Sequence, residues 1–254
     1  MTLLLLYMAY AVALSIALGL AGHRPAGARR GEGLPEGRSG PRAPKRVLIV
    51  GATGGTGRQL VARALELGHE VTALARDPSK LELRHPRLEV VQGDVLDPAS
   101  LEAAVRGGDA VLSALGHKRY LGPSRILSDG TRNLLAAMEA HGVPRFVCET
   151  SLGIGSSAGR MGLYYTFLVI PLVVPFYFWD KTRQERAIAG SSAEWVIVRP
   201  GALTDGPRRG RLRHGSRIGS FLRTVRVSRA DVAEFMLGQL ESDAYLREAV
   251  GISW

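Results

Sequence analysis

The stretch Arg46-Val-Leu-Ile-Val50, followed by Gly51-Ala-Thr-Gly54-Gly55-Thr-Gly57, decides the fold of this chain. Its first five residues predict a short buried strand that ends at Gly51. Apolar residues at helical spacing then run from Gly57 to Leu67. Glycines between a strand and a helix permit a tight turn, and the free N–H groups of the helix N-terminus attract a pyrophosphate. A glycine-rich turn without a ligand is the alternative, because the spacing is G-x-x-G-x-x-G.

Beyond this stretch, strand-like and helix-like segments alternate to the end of the chain. The predicted strands are 46–50, 69–75, 88–92, 110–115, 145–150, 195–199 and 250–253. The predicted helices are 57–67, 98–106, 126–141, 180–189 and 228–240. This alternation indicates βαβ units with right-handed crossovers. We therefore predict an α/β fold over residues 45–254, a doubly wound and mostly parallel sheet of the Rossmann type, preceded by a transmembrane helix.

The N-terminal segment predicts a membrane anchor. Residues 1–22 contain no Asp, Glu, Lys or Arg, and basic residues follow only after them. A helix over 2–22, rising about 1.5 Å per residue, would be roughly 30 Å long and match the bilayer core. The positive-inside rule then gives a single pass of the cell membrane with the domain in the cytoplasm. A cleaved signal peptide, a misassigned start and a buried core helix are the alternatives.

Residues 23–44 are rich in Gly, Pro and Arg, which predicts a flexible basic linker.

The chain has 254 residues and a net charge of +10, with 46% hydrophobic and 22% charged residues. This composition excludes a disordered chain, and the single cysteine, Cys148, excludes a disulfide scaffold. No cluster has metal-ligand spacing, so we predict no metal site.

Eight arginines and no acidic residue lie between Gly206 and Arg229. Such a stretch favours contact with anionic membrane lipid, and a solvated face without a partner is the alternative. We predict no nucleic acid as a partner, because neither interleaved aromatic residues nor a helix-turn-helix pattern accompanies the arginines.

The end of the second predicted strand distinguishes the two nicotinamide cofactors. An acidic residue there would bind the ribose 2′-OH, whereas a basic residue would accept a 2′-phosphate. The sequence has Arg76 at this position, so NADP is favoured and NAD is the lesser alternative. A plain turn in which Arg76 pairs with Asp77 would account for the same residues.

Six motifs in order, GATGGTG, ALARDPSKL, VQGDVLDPASL, SALG, GTRNLLAAMEAHGVPRFV and WVIVRPGALTDGP, span much of residues 45–254. In them the chain resembles the atypical short-chain dehydrogenase/reductase family, and within it the NmrA-like NAD(P)H-binding branch that includes flavin and biliverdin reductases. The resemblance implies these cofactor positions: Gly51, Thr53, Gly54, Gly55, Thr56 and Gly57 at the phosphates, Arg76 at the 2′-phosphate, Asp94 and Val95 at the adenine, Ser113, Ala114 and Leu115 beside the nicotinamide ribose, and Pro200 and Gly201, with Ser151 and Lys181, around the nicotinamide.

Typical members of this superfamily use a Tyr-x-x-x-Lys pair, in which the phenol protonates the substrate's carbonyl oxygen. Tyr177 and Lys181 have this spacing, and Ser151 would complete a catalytic triad. Tyr177 also lies in the aromatic run 176–179, so a packing or anchoring role is the alternative. His117 and Lys118 are alternative acids.

Residues 161–179 contain no charged side chain, yet the strands on both sides belong to one sheet. The segment therefore cannot cross a bilayer, and it predicts a hydrophobic lid, a dimer face or a shallow membrane contact.

We expect a membrane-associated NADP(H)-dependent oxidoreductase that reduces a lipophilic or flavin/quinone-like carbonyl substrate, a small molecule. A non-catalytic NAD(P)-sensing regulator or assembly protein is the alternative, and an epimerase or dehydratase is a third. The oligomeric state stays open.

Overall fold

The computed structural model describes residues 2–22, 30–32, 43–117, 119–120 and 122–254. The α-helices in this part of the chain are α1 Thr2–Ala21, α2 Gly55–Glu66, α3 Pro98–Val105, α4 Ile126–Ala140, α5 Pro175–Ala189 and α6 Arg229–Gly238. The strands are β1 Arg30–Glu32, β2 Arg46–Val50, β3 Glu70–Ala75, β4 Leu88–Gln92, β5 Ala110–Ser113, β6 Arg145–Glu149, β7 Glu194–Pro200, β8 Ala202–Thr204, β9 Arg213–Gly215, β10 Arg226–Ser228 and β11 Glu248–Ser253. A π-helix, Tyr165–Val173, precedes α5.

The main sheet has the order β1-β9-β11-β7-β6-β5-β2-β3-β4. All pairs from β11 to β4 are parallel, while β9 and β1 are added antiparallel at one edge. A separate parallel pair joins β8 and β10. The strand order reverses between β2 and β5, and in such sheets ligands bind at the carboxyl ends of the strands at this switch point. The predicted Rossmann-type α/β fold is therefore confirmed.

Helices cover both faces of this sheet, and each face has its own hydrophobic core. Leu60 of α2 and Phe235 of α6 are fully buried on one face. Leu134 of α4 and Ile188 of α5 are buried on the other. Strand β2 is buried from Val47 to Val50 because it has helices on both sides, which explains its unbroken apolar sequence.

Helix α5 begins at Pro175, earlier than the predicted start at residue 180. Proline is favoured in the first turn of a helix, where its missing N–H group would have no partner, so the aromatic run after it can be helical. This correction places Tyr177 and Lys181 on the same helix, one turn apart, so their side chains share one face.

Helix α1 lies against the domain. Its Leu18 is buried and packs with Ile154, Ile170 and Phe178. At its end the backbones come so close that a Cβ atom on Gly22 would lie 2.4 Å from the backbone of Gly155. Among the described residues, α1 is the one helix that is long and apolar enough to cross a membrane.

Part of the predicted linker over 23–44 has regular structure. Arg30–Glu32 forms strand β1, which pairs antiparallel with β9 at the edge of the main sheet. The other residues of the predicted flexible basic linker, apart from 43 and 44, lie outside the described residues, so the linker stays a prediction. An edge strand has unpaired N–H and C=O groups along its free side, which a passing segment of any composition can bond.

Several arginine side chains of the stretch 206–229 have partners within the domain. Arg208 pairs with Glu234 at 2.6 Å, and Arg229 pairs with Asp205 at 2.6 Å. The guanidinium of Arg209 lies 3.6 Å from the ring centroid of Trp254. The acidic partners lie outside the stretch, so the sequence pattern could not reveal them. Arg217 and Arg223 remain exposed.

A buried ion pair joins α5 to β7. Glu185 and Arg199 are almost completely buried, and Arg199 donates to both carboxylate oxygens, at 2.9 and 2.6 Å. Thr150 donates its hydroxyl to Glu185 at 2.7 Å, and Arg199 donates to the hydroxyl of Ser156 at 2.9 Å. These hydrogen bonds compensate for the loss of water around two buried charges.

We expect Glu185→Gln to lower the free energy of unfolding by about 3–5 kcal/mol, because it leaves the Arg199 charge buried without its counter-ion. The measurement is a urea titration of the full chain in mild detergent. The control is Arg125→Gln, which breaks the exposed pair of Arg125 with Asp129 and should cost less than about 0.5 kcal/mol. Equal costs for the two variants would contradict this account of the ion pair.

Candidate active site

The glycine-rich turn after β2 brings two backbone segments into contact at the switch point. Gly51 has φ +80°, and a Cβ atom on it would lie 2.5 Å from the carbonyl oxygen of Ala114, just after β5. A Cβ atom on Gly57 would lie 2.0 Å from the carbonyl oxygen of Gly51. Only glycine fits these two positions, so the turn forms a cradle of bare backbone at the start of α2.

This cradle fits a dinucleotide pyrophosphate. Gly54 is the residue before α2, and no side chain caps the helix there, so the first N–H groups have no side-chain acceptor. The side chain of Arg229 lies over the turn, with Nε 2.6 Å from the position of a Cβ atom on Gly55. Sequence reasoning missed Arg229 because it is far away in the chain and belongs to the arginine-rich stretch.

Thr56 is buried, and its hydroxyl donates to Glu149 Oε1 at 3.2 Å. Thr56 therefore offers a phosphate its backbone N–H, while its side chain links α2 to the end of β6. Thr53 lies half-buried in the turn itself.

The end of β3 is basic and open to solvent. Arg76 is exposed, and Asp77 pairs with Lys80 at 3.2 Å rather than with Arg76. Hydrogen bonds from Ser79, together with Lys80, lower the pKa of Asp77. Arg58, in the first turns of α2, donates to the carbonyl oxygen of Lys80 at 3.0 Å. Sequence reasoning missed Arg58, although it directly follows the glycine motif.

The two residues implied at the adenine lie after β4. The Asp94 carboxylate accepts a hydrogen bond from the Leu96 N–H at 3.0 Å. Val95 is buried, and its carbonyl oxygen accepts from the Asn133 amide at 3.0 Å. This loop is therefore held by a hydrogen bond of its own and by one from α4.

The residues implied near the nicotinamide lie at the carboxyl ends of β5 and β7. Ser113 is buried, and the N–H of Ala114 donates to the carbonyl oxygen of Val50 at 2.9 Å, which joins this loop to β2. Leu115 packs against the core on the α4 side. After β7, Pro200 accepts a hydrogen bond from Leu152 at 3.0 Å, and Gly201 approaches Val225 too closely to carry a side chain.

Tyr177, Lys181 and His117 meet beside the loop after β5. Lys181 Nζ lies 5.2 Å from the ring centroid of Tyr177, and the His117 ring meets the Tyr177 ring edge-on at 4.9 Å between centroids. The Tyr177 hydroxyl lies 3.4 Å from the position of a Cβ atom on Gly116. The Nε2 atom of His117 is buried without a hydrogen-bond partner among the described residues.

The charges in this cluster follow from burial and from close neighbours. Burial disfavours the charged form of Lys181, but Tyr177 and Glu149 outweigh it and raise the pKa of the ammonium above its usual value. Burial raises the pKa of Glu149, although Lys181 opposes this effect. Burial lowers the pKa of His117, which favours the neutral form of its ring.

Ser151 follows β6 by two residues and makes no hydrogen bond to Tyr177 or Lys181 among the described residues, so its place in a catalytic triad stays a prediction. Glu149 contacts Lys181. Its carbonyl oxygen accepts a hydrogen bond from Lys181 Nζ at 3.5 Å, and its carboxylate accepts one from the Thr56 hydroxyl. The sequence signal that could have identified Glu149 is an acidic residue at the end of a predicted buried strand. Lys118, the other predicted acid, lies outside the described residues.

Two curated proteins are similar to this chain over part of their length. An uncharacterized chloroplastic protein of Arabidopsis thaliana is 32% identical over 174 residues, which cover 65% of this chain and 62% of that protein. The photosystem II assembly factor Ycf39 of Synechocystis is 34% identical over 105 residues, 40% of this chain and 32% of the relative. The chain thus matches less than two thirds of either relative's length.

Solved structures share the fold over most of the chain. A Rossmann-fold NAD(P)-binding family protein from Shigella flexneri is 29% identical with a TM-score of 0.62, covering 82% of this chain and 93% of that one. ChuY, an anaerobillin reductase from Escherichia coli O157:H7, is 24% identical with a TM-score of 0.67 and coverages of 82% and 96%. A short-chain dehydrogenase/reductase from Veillonella parvula, in complex with NADP, is 18% identical with a TM-score of 0.67 and coverages of 83% and 94%.

A family model described as NAD(P)H-binding matches residues 51–243, which include the glycine turn, the end of β3 and the Tyr177 cluster. The match covers most of the folded domain and agrees with the resemblance drawn from the motifs. This chain belongs to the NAD(P)H-binding family.

Proposed function

We propose that this protein is an NADP(H)-dependent oxidoreductase that reduces the carbonyl group of a lipophilic or flavin/quinone-like small molecule. One observation carries the proposal: the Tyr177 hydroxyl, the buried Lys181 side chain and the His117 imidazole lie together beside the β5 loop at the switch point. A bound nicotinamide at this edge of the sheet would have a proton donor within reach of its substrate.

The reduced cofactor, when bound, supplies a hydride to the carbonyl carbon. The Tyr177 hydroxyl donates a proton to the carbonyl oxygen, and the charge of Lys181 stabilises the phenolate that remains. His117 offers its buried Nε2 to the substrate as a hydrogen-bonding group. The backbone carbonyl of Glu149 accepts a hydrogen bond from Lys181, and its carboxylate accepts one from Thr56 of the glycine-rich turn, so Glu149 positions both.

A non-catalytic cofactor sensor or assembly protein is the second candidate. Two observations favour it: among the described residues Ser151 makes no hydrogen bond to Tyr177 or Lys181, and a relative is named as an assembly factor. Such a protein would bind the cofactor at the same glycine turn and would not turn it over.

We expect Tyr177→Phe to lower kcat for NADPH oxidation about 10²–10⁴-fold, because it removes the proton donor and keeps the ring contacts. The dissociation constant for NADPH should change less than twofold. Stopped-flow absorbance with a panel of quinones, flavins and aldehydes measures both. The control is Tyr164→Phe, an exposed tyrosine of the same apolar segment, which should leave kcat unchanged.

Two results would contradict this reading. Full activity in Tyr177→Phe would remove the tyrosine from catalysis and leave the reductase activity itself. Tight NADPH binding with no oxidation of any compound in the panel would favour the cofactor sensor.

We propose NADP rather than NAD as the cofactor because cations surround the position of a ribose 2′-phosphate. Arg76 is exposed and not paired with Asp77, and Arg58 lies at the adjacent turn. The structure of the Veillonella protein in complex with NADP agrees with this choice.

Arg76→Gln should raise the dissociation constant of NADPH at least tenfold and change that of NADH less than twofold, since only NADPH carries the 2′-phosphate. Calorimetric titration of the full chain with each cofactor measures the ratio. The matched control is Arg84→Gln, an exposed arginine in the loop between β3 and β4. An equal rise in the dissociation constants of both cofactors would mean that Arg76 does not bind the 2′-phosphate.

We propose that residues 1–22 anchor the domain to the cell membrane with the domain on its cytoplasmic side, and that residues 161–179 contact the same bilayer. Leu4 and Ile16 of α1 and Leu168 and Leu172 of the π-helix are exposed and apolar. The Tyr7 hydroxyl donates to the carbonyl oxygen of Phe167, and the Tyr10 hydroxyl donates to that of Pro171 at 3.4 Å. Carbonyl groups of an irregular helix need such partners inside lipid.

Cell fractionation tests the anchor. The full chain should resist a carbonate wash, whereas a chain without residues 2–22 should be released by salt or mild detergent, since only the shallower apolar contact remains. Recovery of the full chain in the soluble fraction, or in a trimmed and exported form, would contradict the anchor.

A further inference from the structure

The small parallel sheet of β8 and β10 brings Arg229 and Asp205 together. The two strands end in register, with Thr204 opposite Ser228. The residues that follow the two strands therefore leave the sheet side by side, and Arg229 Nη1 donates to Asp205 Oδ1 at 2.6 Å. Because β8 begins two residues after the end of β7, this ion pair lies at the carboxyl edge of the main sheet, where the glycine-rich turn also lies.

The side chain of Arg229 extends from the small sheet to the glycine-rich turn. Its Cδ and Nε atoms each lie 2.6 Å from the position of a Cβ atom on Gly55, the first residue of α2, and its Cζ atom lies 3.4 Å from that position. Arg229 is itself the first residue of α6, which packs beside α2. The guanidinium group therefore lies where the N-terminal ends of two helices meet.

This arrangement concentrates positive charge at the turn. The N-terminal end of a helix carries about half a positive charge, so a cation is unfavourable there. Asp231, in the first turn of α6, already accepts hydrogen bonds from Ser228 and from Trp254 Nε1. Among the described residues, the acceptor that bonds the Arg229 guanidinium is Asp205, whose side chain is 89% exposed. Water screens so exposed an ion pair, and an anion at the turn can therefore compete with it.

Arg229 has hydrogen-bond donors left for such an anion. Its Nε and Nη2 groups donate to none of the described residues, and Nε lies directly over the first residue of α2. The N–H groups at the start of α2 have no side-chain acceptor either. A guanidinium group binds phosphate oxygens through two parallel N–H groups. The donors of Arg229 and those of α2 thus suit two sides of one phosphate group.

The position of Arg229 distinguishes between the two phosphates of a dinucleotide. Arg76 and the residues implied at the adenine follow β3 and β4, on one side of the turn. Arg229 reaches the turn from the opposite side, where β6 and β7 lie. Burial raises the pKa of Glu149, at the end of β6, and the charges of Lys181 and Arg229 oppose this rise. Arg229 therefore lies on the same side of the turn as Lys181, the side of the nicotinamide.

We propose that Arg229 binds the nicotinamide-side phosphate of the cofactor, and that its ion pair with Asp205 is exchanged for this phosphate when the cofactor binds. Without the cofactor, Asp205 neutralises the guanidinium and keeps it over the start of α2. Asp205 is then a competitor of the phosphate rather than a part of its site. This inference deepens the proposed function and rests on its cofactor binding at the glycine-rich turn, and it does not depend on the carbonyl reduction.

The test is a calorimetric titration of the full chain in mild detergent with three probes. NADPH and NADH carry both phosphates of the dinucleotide, whereas adenosine 2′,5′-bisphosphate lacks the nicotinamide-side phosphate. Arg229→Gln removes the proposed phosphate ligand, and Asp205→Asn removes the competing carboxylate. The matched control is Arg226→Gln, an exposed arginine of β10 three residues earlier in the chain.

We expect Arg229→Gln to raise the dissociation constants of NADPH and NADH by the same factor, about tenfold or more, because both lose a charged hydrogen bond. The dissociation constant of adenosine 2′,5′-bisphosphate should change less than about twofold, which also shows that the variant is folded. Asp205→Asn should lower the dissociation constants of NADPH and NADH by about twofold or more, since the phosphate no longer competes with a carboxylate. Arg226→Gln should leave all three values unchanged.

Three results would overturn the proposal. The first is unchanged binding of NADPH and NADH in Arg229→Gln. The second is a loss of affinity for adenosine 2′,5′-bisphosphate as large as that for NADPH, because Arg229 would then support the turn or the adenosine-side phosphate. The third is a loss of affinity in Asp205→Asn as large as that in Arg229→Gln, which would make the ion pair a fixed part of the fold.

The same titrations separate this inference from the proposed function. If the wild type binds neither NADPH nor NADH, the cofactor site and the role of Arg229 both fail. If both cofactors bind with the expected pattern among the variants, and no compound is reduced, the reductase activity fails and the role of Arg229 stands.

Discussion

The close approach of two backbone segments at the switch point is the constraint on which the rest of the structure depends. Gly51 lies in van der Waals contact with the carbonyl of Ala114, and Gly57 packs on Gly51, with no space for a side chain at either glycine. Because β2 and β5 are adjacent, their loops diverge from this contact and leave a crevice between them. The start of α2 faces the crevice, and the ends of β6 and β7 extend it.

The polar groups at this edge of the sheet form two linked pairs. Lys181 and Glu149 lie next to the crevice, and Glu185 with Arg199 lies one turn further along α5. Buried charges are costly, and the second pair is held by Thr150 and Ser156 as well as by its own hydrogen bonds. Such an arrangement fixes the rotation of α5 about its axis. It thereby fixes the direction in which Tyr177 points.

Helix α1 and the π-helix form a second apolar unit on the same side of the molecule. Pro171 lacks an N–H group and the π-helical bonding leaves carbonyl groups poorly aligned, so the segment would be unstable alone in an apolar setting. The tyrosines of α1 donate to two of these carbonyls, and Leu18 fills the space beside Ile170. A segment with no charge and an N-terminal helix with no charge thus stabilise each other, which neither sequence indicates by itself.

The sequence by itself determined the fold class, the glycine turn and the order of strands and helices, because these depend on local patterns: β-branched runs, apolar spacing and glycine positions. The spacing of Tyr177 and Lys181 was compatible with one helix face, but the predicted helix began at residue 180, so the structure was needed to place both residues on α5. Only the tertiary structure decided that Glu149 and Arg229 lie at the site, that the His117 ring contacts the Tyr177 ring, and that α1 lies on the domain. Those contacts join residues that are distant in the chain, and packing of side chains, rather than any local pattern, selects them.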